Sequence, residues 1–422
     1  MEQVLFGGYL NLLPTVTTEY NSLMGGLSWS ATELYVYGLV STDGLIKQLR
    51  LKLYDVAGDP ASPGAGKKYT FTLMLNGAPT ALTFDIADAA TSGSNMVTEI
   101  DITGGDTVSL QCDPDNTPTA RYAAWSCVFE GDTEKESLIF GVASDYLHQI
   151  NTEYGQVMCA AAFYSLVEND HRQVVPTAGT IKNLYVKLNI DPGTAPEAFR
   201  FTLRKGGASQ TLTVTITADD TTGSDLVNSF AVVAGDILTI MVEPLNVPSE
   251  TPRAAWGMTF VADIDGESIV LGGSTDALDN AATEYIYLSS SIFVPWSATE
   301  THRYQLGQVC TLKKLYMLLS AAPGAGNSYT FTIRIAGADS NVVTTVADAA
   351  TTGNSGALED DLAFDEYVNL KVVPADTPDV VDAYWGFVCD IPVPTVGGGG
   401  AGAVVMGTKS LILDLLLEGV ID

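Results

Sequence analysis

The sequence contains the same stretch three times, and the copies lie about 130 residues apart. In the first copy this stretch reads Tyr-Thr-Phe-Thr and runs on to an Asn-Gly pair. Several positions keep the same spacing in every copy: Phe71, Phe201 and Phe331; Gly93, Gly223 and Gly353; Pro118, Pro248 and Pro378. A period held over many positions marks an internal repeat, and one of this length fits a whole small domain. The 422 residues therefore predict three tandem domains, at 1–134, 135–265 and 266–392, and a tail at 393–422.

Alternating side chains predict that each domain is built from strands. In the first copy Tyr69, Phe71, Leu73 and Leu75 fall on one face of the chain, and the residues between them fall on the other. This period of two is the pattern of a half-buried strand. The pair Asn76-Gly77 that follows favours a tight hairpin, because both central residues of such a turn adopt positive φ.

Each copy offers about eight strands of this kind and no helical period. Forty glycines and 18 prolines supply the turns, while a hydrophobic content of 46% is that of packed globular domains. The last strand of each copy carries a tryptophan that we expect in the core, at Trp125, Trp256 and Trp385. We therefore predict an all-β protein with three tandem antiparallel β-sandwiches of jelly-roll-like arrangement and a short apolar tail.

The net charge of −30 argues against two classes of partner. Twenty basic and 50 acidic residues produce a long-range field that repels nucleic acid and anionic membranes. An acidic, solvated surface explains this charge, and calcium binding in acidic loops is the alternative. The candidate calcium loop contains Asp113, Asp115 and Asn116. A capped turn is favoured there, because the equivalent loops of the other copies carry fewer oxygen ligands.

The N-terminus lacks a basic segment followed by an apolar run, so we expect synthesis and release in the cytoplasm. No apolar stretch reaches the roughly 18–20 residues of a membrane span. The sequence thus predicts no membrane partner.

The five cysteines include no Cys-x-x-Cys pair. The sister copies carry apolar residues where the first copy has Cys112 and Cys127 and the third has Cys389. We therefore expect buried thiols that act as small hydrophobic groups. A disulfide between Cys112 and Cys127, facing each other across one hairpin, is the alternative.

No catalytic or cofactor motif appears in the sequence. The three histidines are His148, His171 and His302, and no metal-binding spacing accompanies them. His171 and His302 align as repeat equivalents, which favours a structural hydrogen bond. We therefore predict a non-enzymatic protein without a cofactor or a metal, and a polysaccharide depolymerase is the opposing hypothesis.

Two aromatic segments are candidates for surface recognition. Repeats one and three contain nearly the same peptide, Trp-Ser-Ala-Thr-Glu, which begins at Trp29 and at Trp296. These two tryptophans are the candidate platform for a sugar. The alternative is that both belong to strands and pack inside the sandwiches.

The tail differs in composition from the repeats. A Gly-rich linker ends at Gly402, and an apolar segment interrupted by Asp414 and Glu418 follows. Burial of such a segment is favourable by roughly 25 cal/mol per Å² of apolar surface, so we expect it to dock. Docking on its own chain and docking on a partner subunit both stay open. The candidate docking residues are Leu411, Ile412, Leu413, Leu415, Leu416 and Leu417.

The order of these features resembles two groups of known proteins. The Tyr-Thr-Phe-Thr strand, the Asn-Gly turn, the Gly-Asp strand and the final aromatic strand resemble C1q- and TNF-like jelly rolls. The tandem pattern of Pro-Gly-Ala-Gly, Tyr-Thr-Phe-Thr and Thr-Thr-Gly-Ser is similar to virion surface proteins of tailed bacteriophages. This second resemblance covers most of residues 1–392. It implies a structural protein on the virion surface, with other virion proteins and copies of itself as partners.

Two functions are compatible with this resemblance. The first is a capsid decoration or fibre-like component, whose domains pack about a pseudo-threefold axis or follow one another as a fibre. The second is an adhesin that binds a host receptor or a host-surface glycan through the loops at its strand ends.

Overall fold

A computed structural model describes residues 1–9, 11–26, 28–161 and 164–391. Strands account for 58% of the chain and helices for 3%, which confirms the predicted all-β class. In the described ranges the helical elements are three short 3-10 turns, at Glu33–Tyr35, Glu168–His171 and Glu300–Arg303.

The three repeats follow the same order of strands. In repeat one these are β1 (Glu2–Tyr9), β2 (Glu19–Asn21), β3 (Gly38–Leu39), β4 (Gly44–Tyr54), β5 (Gly64–Leu75), β6 (Ala78–Asp88), β7 (Ser92–Ile102), β8 (Thr107–Asp115) and β9 (Tyr122–Gly131). In repeat two they are β10 (Glu136–Ala143), β11 (Glu153–Gly155), β12 (Cys159–Ala161), β13 (Gln173–Val174), β14 (Gly179–Leu188), β15 (Ala198–Lys205), β16 (Ala208–Thr217), β17 (Thr222–Val232), β18 (Ile237–Leu245) and β19 (Ala254–Ala262). In repeat three they are β20 (Glu267–Ser274), β21 (Glu284–Ile286), β22 (Gln305–Leu306), β23 (Cys310–Leu319), β24 (Gly324–Ile335), β25 (Ala338–Asp348), β26 (Thr352–Asn354), β27 (Glu359–Leu362), β28 (Tyr367–Ala375) and β29 (Ala383–Asp390).

Each repeat is a sandwich of two sheets. In repeat one the strand orders are β1-β9-β4-β7 and β2-β8-β5-β6. The orders are β12-β10-β19-β14-β17 and β11-β18-β15-β16 in repeat two, and β20-β29-β23-β26 and β21-β28-β24-β25 in repeat three. Neighbouring strands come from distant parts of the repeat, which is the arrangement of a jelly roll. Apart from the parallel pair β10 and β12, the pairings between these strands are antiparallel.

The repeated stretch forms the hairpin that its sequence predicts. Strands β5 and β6 pair so that Phe71 lies opposite Phe84. Asn76 and Gly77 between them have φ values of 53° and 77°, as this turn requires. The equivalent turns of repeats two and three also have positive φ at both central residues. The alternation that follows from this register places the aromatic side of β5 in the core.

The tryptophans of the last strands lie in the cores, as predicted. Trp125, Trp256 and Trp385 are fully buried, and each indole nitrogen donates a hydrogen bond of 2.8–3.1 Å to a backbone carbonyl. A glycine of the first strand lies against each ring, and a methyl group there would approach the indole to 2.0–2.5 Å. These glycines are Gly7, Gly141 and Gly272. Repeat after repeat, the glycine in the apolar first strand leaves room for the tryptophan.

The three sandwiches close into a ring through apolar seams, and residues 1–392 form one compact unit. Each seam buries side chains from two repeats: Tyr37, Leu39, Val142 and Ala255 in the first seam, between repeats one and two; Val174, Ile292, Leu318 and Tyr384 in the second seam, between repeats two and three; Leu306, Tyr54 and Ala124 in the closing seam, between repeats three and one. Of the two arrangements that the sequence left open, the chain adopts the pseudo-threefold one.

One residue from each repeat meets the others at the centre of this ring. The Cys159 thiol lies 2.9 Å from the Ser289 hydroxyl. A methyl group on Gly25 would lie 3.4 Å from the Cys159 sulfur and 3.5 Å from the Ser289 carbonyl oxygen. Gly25 and Cys159 both have φ of +73°. Burial raises the pKa of the Cys159 thiol to about 12, which keeps it protonated.

Within the seams, a short strand of one repeat lies directly over the last strand of the next. The Leu39 carbonyl oxygen would be 1.9 Å from a methyl group on Gly257, and the Val174 carbonyl oxygen 2.1 Å from one on Gly386. Both obstacles are backbone atoms, which cannot rotate away as a side chain can. These two glycines therefore set how closely the repeats approach.

We expect Gly257→Ala to destabilise the protein by about 1–3 kcal/mol, because the added methyl group forces the first seam apart. Urea unfolding at neutral pH measures the loss. Gly155→Ala is the matched control: this glycine is also buried in repeat two, but the three atoms nearest to its methyl group would all belong to side chains, at 3.3–3.5 Å. Equal stability of the two variants would contradict the tight approach of Leu39 to Gly257.

Candidate functional site

The tryptophans predicted to recognise a ligand at the surface are in fact buried. Trp29 is 9% exposed and packs against Trp125, with ring centroids 5.5 Å apart. Trp296 is 5% exposed and packs against Trp385 at 5.7 Å. Each ring extends the core tryptophan of its own repeat, so neither offers a platform to a sugar. The prediction of surface recognition at Trp29 and Trp296 is wrong.

The predicted docking segment cannot be placed in the fold. Its residues lie outside the described ranges: Leu411, Ile412, Leu413, Leu415, Leu416 and Leu417. The choice between docking on this chain and docking on a partner therefore stays a prediction from sequence.

The cysteines are free and buried, which confirms the prediction of apolar thiols. Cys112 lies on β8 and Cys127 on β9, and these strands belong to opposite sheets. The two residues do not face each other across one hairpin, so that part of the disulfide alternative is wrong. Burial raises the pKa of the Cys112 thiol well above its ordinary range.

His171 and His302 are repeat equivalents in the sequence alignment but not in the structure. Glu168 and Glu300 begin the equivalent 3-10 turns, so His171 corresponds to Arg303 and not to His302. His171 is fully buried, and neither ring nitrogen has a hydrogen-bond partner among the described residues. Burial lowers its pKa to about 4, so the imidazole is neutral at physiological pH.

Two side chains of the candidate calcium loop form hydrogen bonds within the protein. Asp113 Oδ1 accepts a hydrogen bond of 2.5 Å from the Thr18 hydroxyl, and Asn116 Nδ2 donates one of 3.1 Å to the Gly66 carbonyl. In the part of the chain that the structure describes, no three His, Cys, Asp or Glu side chains are grouped to hold a metal ion. The loop has the bonding of the capped turn that the sequence favours.

The seams contain the most informative side chains of the ring. In the first seam Tyr185 lies against the turn at Gly104 and Gly105, where a methyl group on Gly104 would be 2.7 Å from the tyrosine hydroxyl oxygen. In the second seam Tyr316 occupies the equivalent place against Gly235, at 2.9 Å. A tyrosine of one repeat thus packs against a glycine-containing turn of the preceding repeat.

In the closing seam, a charged pair takes the place of the tyrosine–glycine contact. Arg50 stands where the other repeats have tyrosine, and Asp365 stands in the turn where they have glycine. Arg50 Nη2 donates a hydrogen bond of 2.6 Å to Asp365, and the guanidinium lies 3.2 Å over the Phe364 ring. Lys52 adds an ion pair of 3.0 Å to the same carboxylate. Burial lowers the pKa of Arg50, and Asp365 offsets only part of that effect.

The first seam opens into a groove that we call the Lys187 groove. Two adjoining cavities of about 360 and 370 Å³ share Lys187 as a lining residue. Gly105 and Tyr185 line the first cavity, and Glu33 and Tyr37 line the second. The Lys187 ammonium lies 5.6 Å from the centre of the Tyr37 ring.

Lys187 is unusual among the cations of this acidic chain. Of the 20 lysines and arginines, Lys409 lies outside the described ranges. Within those ranges, only Lys67 and Lys187 have neither an ion pair nor a hydrogen bond. The equivalent residue of the closing seam, Lys52, is held by Asp365.

Sequence reasoning missed this groove because it lies between two repeats. The signal was present in one departure: the third copy has Asp365-Glu366 where the others have Gly-Asp. Read alone, this difference weakens the case that the turn needs glycine. Only the ring shows that the turn of each repeat contacts Arg50, or the residue equivalent to it, in the next repeat.

The comparisons with known proteins do not add to this geometry. No protein-family model matches the chain, and no curated protein matches it significantly. Among the described residues the helical turns are also too short and too polar for any of them to cross a bilayer.

The closing seam yields a rescue experiment. Asp365→Gly should cost about 2 kcal/mol in urea unfolding, because it leaves the buried Arg50 without its carboxylate. Adding Arg50→Tyr should restore most of that stability, since the pair then matches the tyrosine–glycine contacts of the other seams. The control Asp85→Asn removes an exposed partner of Lys68 and should change stability by less than about 0.5 kcal/mol. A double variant no more stable than Asp365→Gly would contradict the equivalence.

Stability should also depend on His171. The folded state keeps this imidazole neutral to about pH 4, whereas the unfolded chain binds the proton near its ordinary pKa of 6.5. The unfolded state therefore binds more protons between these values, and stability falls by about 3 kcal/mol as pH is lowered from 6.5 to 4.

Unfolding measured at several pH values checks this dependence. His171→Val, which installs the residue that repeat one has at Val36, should remove it. His148→Gln changes an exposed histidine and should leave the profile unchanged. A wild-type profile that runs parallel to that of His171→Val would contradict the role of His171.

Proposed function

We propose that this chain is a non-enzymatic structural protein of a tailed-phage virion, made in the host cytoplasm and carried on the particle as a capsid decoration protein. Two observations support the proposal. The tandem pattern is similar to virion surface proteins of tailed phages, and the three jelly rolls close on one another as a ring. The ring is our reason for favouring a capsid decoration protein over a fibre component, because the repeats of a fibre would lie end to end.

The ring also favours a particular position on a particle. Three like sandwiches about one axis offer three similar surfaces, so the chain fits a local threefold position of an assembly. A decoration protein with one such domain needs three copies for the same contact, whereas this chain supplies all three in one polypeptide. Its partners at that position are other virion proteins.

Mass spectrometry of purified particles tests the proposal. We expect the chain in intact virions, at one copy for each occupied threefold position. Absence from virions together with a free monomer in solution would overturn the role. Three copies at each position would leave a virion role and overturn the argument from the ring.

The tail offers a second test that is independent of the ring. Deletion of residues 411–422 should leave the three sandwiches folded and abolish incorporation into particles, because the apolar segment would lose its docking contact. The control Lys409→Gln keeps that segment and should be incorporated normally. Loss of soluble folded protein on deletion would show instead that the segment belongs to a core of this chain.

Binding of a host-surface glycan is the second candidate function. Its predicted site at Trp29 and Trp296 is buried, so it needs another location. The Lys187 groove supports such a location, since it combines an aromatic ring, a free ammonium group and a carboxylate at the surface.

A further inference from the structure

The three seams are an internal comparison, because they place equivalent residues of one fold in three different chemical settings. Lys52 on β4 and Lys187 on β14 are equivalent: they pair with Ala124 and Ala255, each the residue before the buried tryptophan of its repeat. Leu318 has this place in the second seam. Lysine therefore occurs in the closing seam and in the first seam only.

A carboxylate covers the lysine of the closing seam. Asp365 Oδ2 forms an ion pair of 3.0 Å with the Lys52 ammonium. The backbone carbonyl of Asp365 accepts a hydrogen bond of 2.6 Å from the same ammonium. In the first seam the equivalent turn residue is Gly105, which has no side chain. A cavity of about 360 Å³ lies beside this turn in the first seam, and both Gly105 and Lys187 line it.

We propose that the Lys187 groove binds a saccharide that carries one carboxylate, and that this carboxylate takes the place that Asp365 has in the closing seam. The inference deepens the second candidate function and does not depend on a virion role. Lys187 donates to the carboxylate in a charge-assisted hydrogen bond, the strongest kind that such a surface can offer.

The rest of the groove suits the hydroxyl groups of a sugar. Glu33 uses Oε1 to accept a hydrogen bond from Ser109, and its Oε2 has no partner among the described residues. The side-chain oxygen of Asn189 accepts a hydrogen bond from the backbone N–H of Arg253, and its Nδ2 has no partner among the described residues. The groove thus offers an acceptor, an amide donor and the ring of Tyr37 in addition to the cation.

The charge of the whole chain limits the ligand to a single carboxylate. A net charge of −30 repels polyanions that approach within about a Debye length of the surface. One acidic sugar within a neutral glycan keeps the contact with Lys187 and reduces that repulsion. A polymer of acidic sugars does not.

Titration of the full-length protein with 3′-sialyllactose, followed by ligand NMR, tests the inference. We expect saturable binding, and lactose, which lacks the carboxylate, should bind at least about tenfold more weakly. No binding of 3′-sialyllactose, or equal binding of the two sugars, would overturn the proposal.

Two variants locate the site. Lys187→Gln should weaken binding of 3′-sialyllactose by about tenfold or more. Gly105→Asp installs in the first seam the carboxylate that the closing seam already has, and it should block the site by pairing with Lys187. Asp365 has φ of +80° in the equivalent turn, close to the +100° of Gly105, so aspartate fits this backbone. A methyl group at Gly105 would lie 3.6 Å from Tyr185, which is ordinary contact.

Lys67→Gln is the matched control, since Lys67 is the other cation without a partner in the described ranges and lies outside the groove. It should bind like the wild type. Unchanged binding by either Lys187→Gln or folded Gly105→Asp would overturn the assignment, and the Lys187→Gln result decides it if Gly105→Asp does not fold. Particle composition is measured separately, so failure here leaves the virion proposal standing.

Discussion

Closure of the ring depends on the contact between the turn that precedes β8, β18 or β28 in one repeat and the middle of β14, β23 or β4 in the next. This contact must form three times, and the last time it joins residues that are 315 positions apart in the chain. Two of the three contacts use tyrosine against glycine, and the third uses Arg50 against Asp365. The two kinds of contact differ in chemistry: tyrosine packs against a turn that contains glycine, and arginine pairs with a carboxylate. Arginine opposite a turn without a carboxylate leaves a buried charge without a partner, which is costly in a low-dielectric seam.

Covalent linkage explains why the seams can differ. In a trimer of identical chains each seam has the same residues, so a charged pair or an open cavity occurs three times or not at all. In one chain each seam can change separately. The closing seam has gained the Arg50–Asp365 pair, the second seam has Leu318 where the others have lysine, and the first seam keeps Lys187 beside an empty turn. The fold therefore keeps threefold packing while the seams differ in chemistry, and the first seam contains the Lys187 groove.

The sequence predicts the parts of this fold that depend on local patterns. Period-two alternation around Phe71 and the Asn76-Gly77 pair are properties of a few neighbouring residues, and both predictions are confirmed. Trp29 and Trp296 show the limit: an aromatic residue in an irregular segment gives no local sign of whether it faces solvent or a second tryptophan. Local patterns could not predict the groove, because Gly105 and Lys187 belong to different repeats and meet only when the ring closes.

Lys187 is unusual because basic residues are few in this chain and Lys187 has no carboxylate partner. The chain has 50 acidic and 20 basic residues, and most of the lysines that the structure describes form an ion pair with a carboxylate. The repeated ion pair at the start of each sandwich illustrates the usual outcome, with Lys47, Lys182 and Lys313 each bound to a glutamate of the first strand. Lys187 is half-buried, so part of its hydration is lost without compensation by a protein carboxylate. A ligand that supplies the carboxylate recovers that interaction, and Gly105, which has no side chain, leaves space beside Lys187 for it.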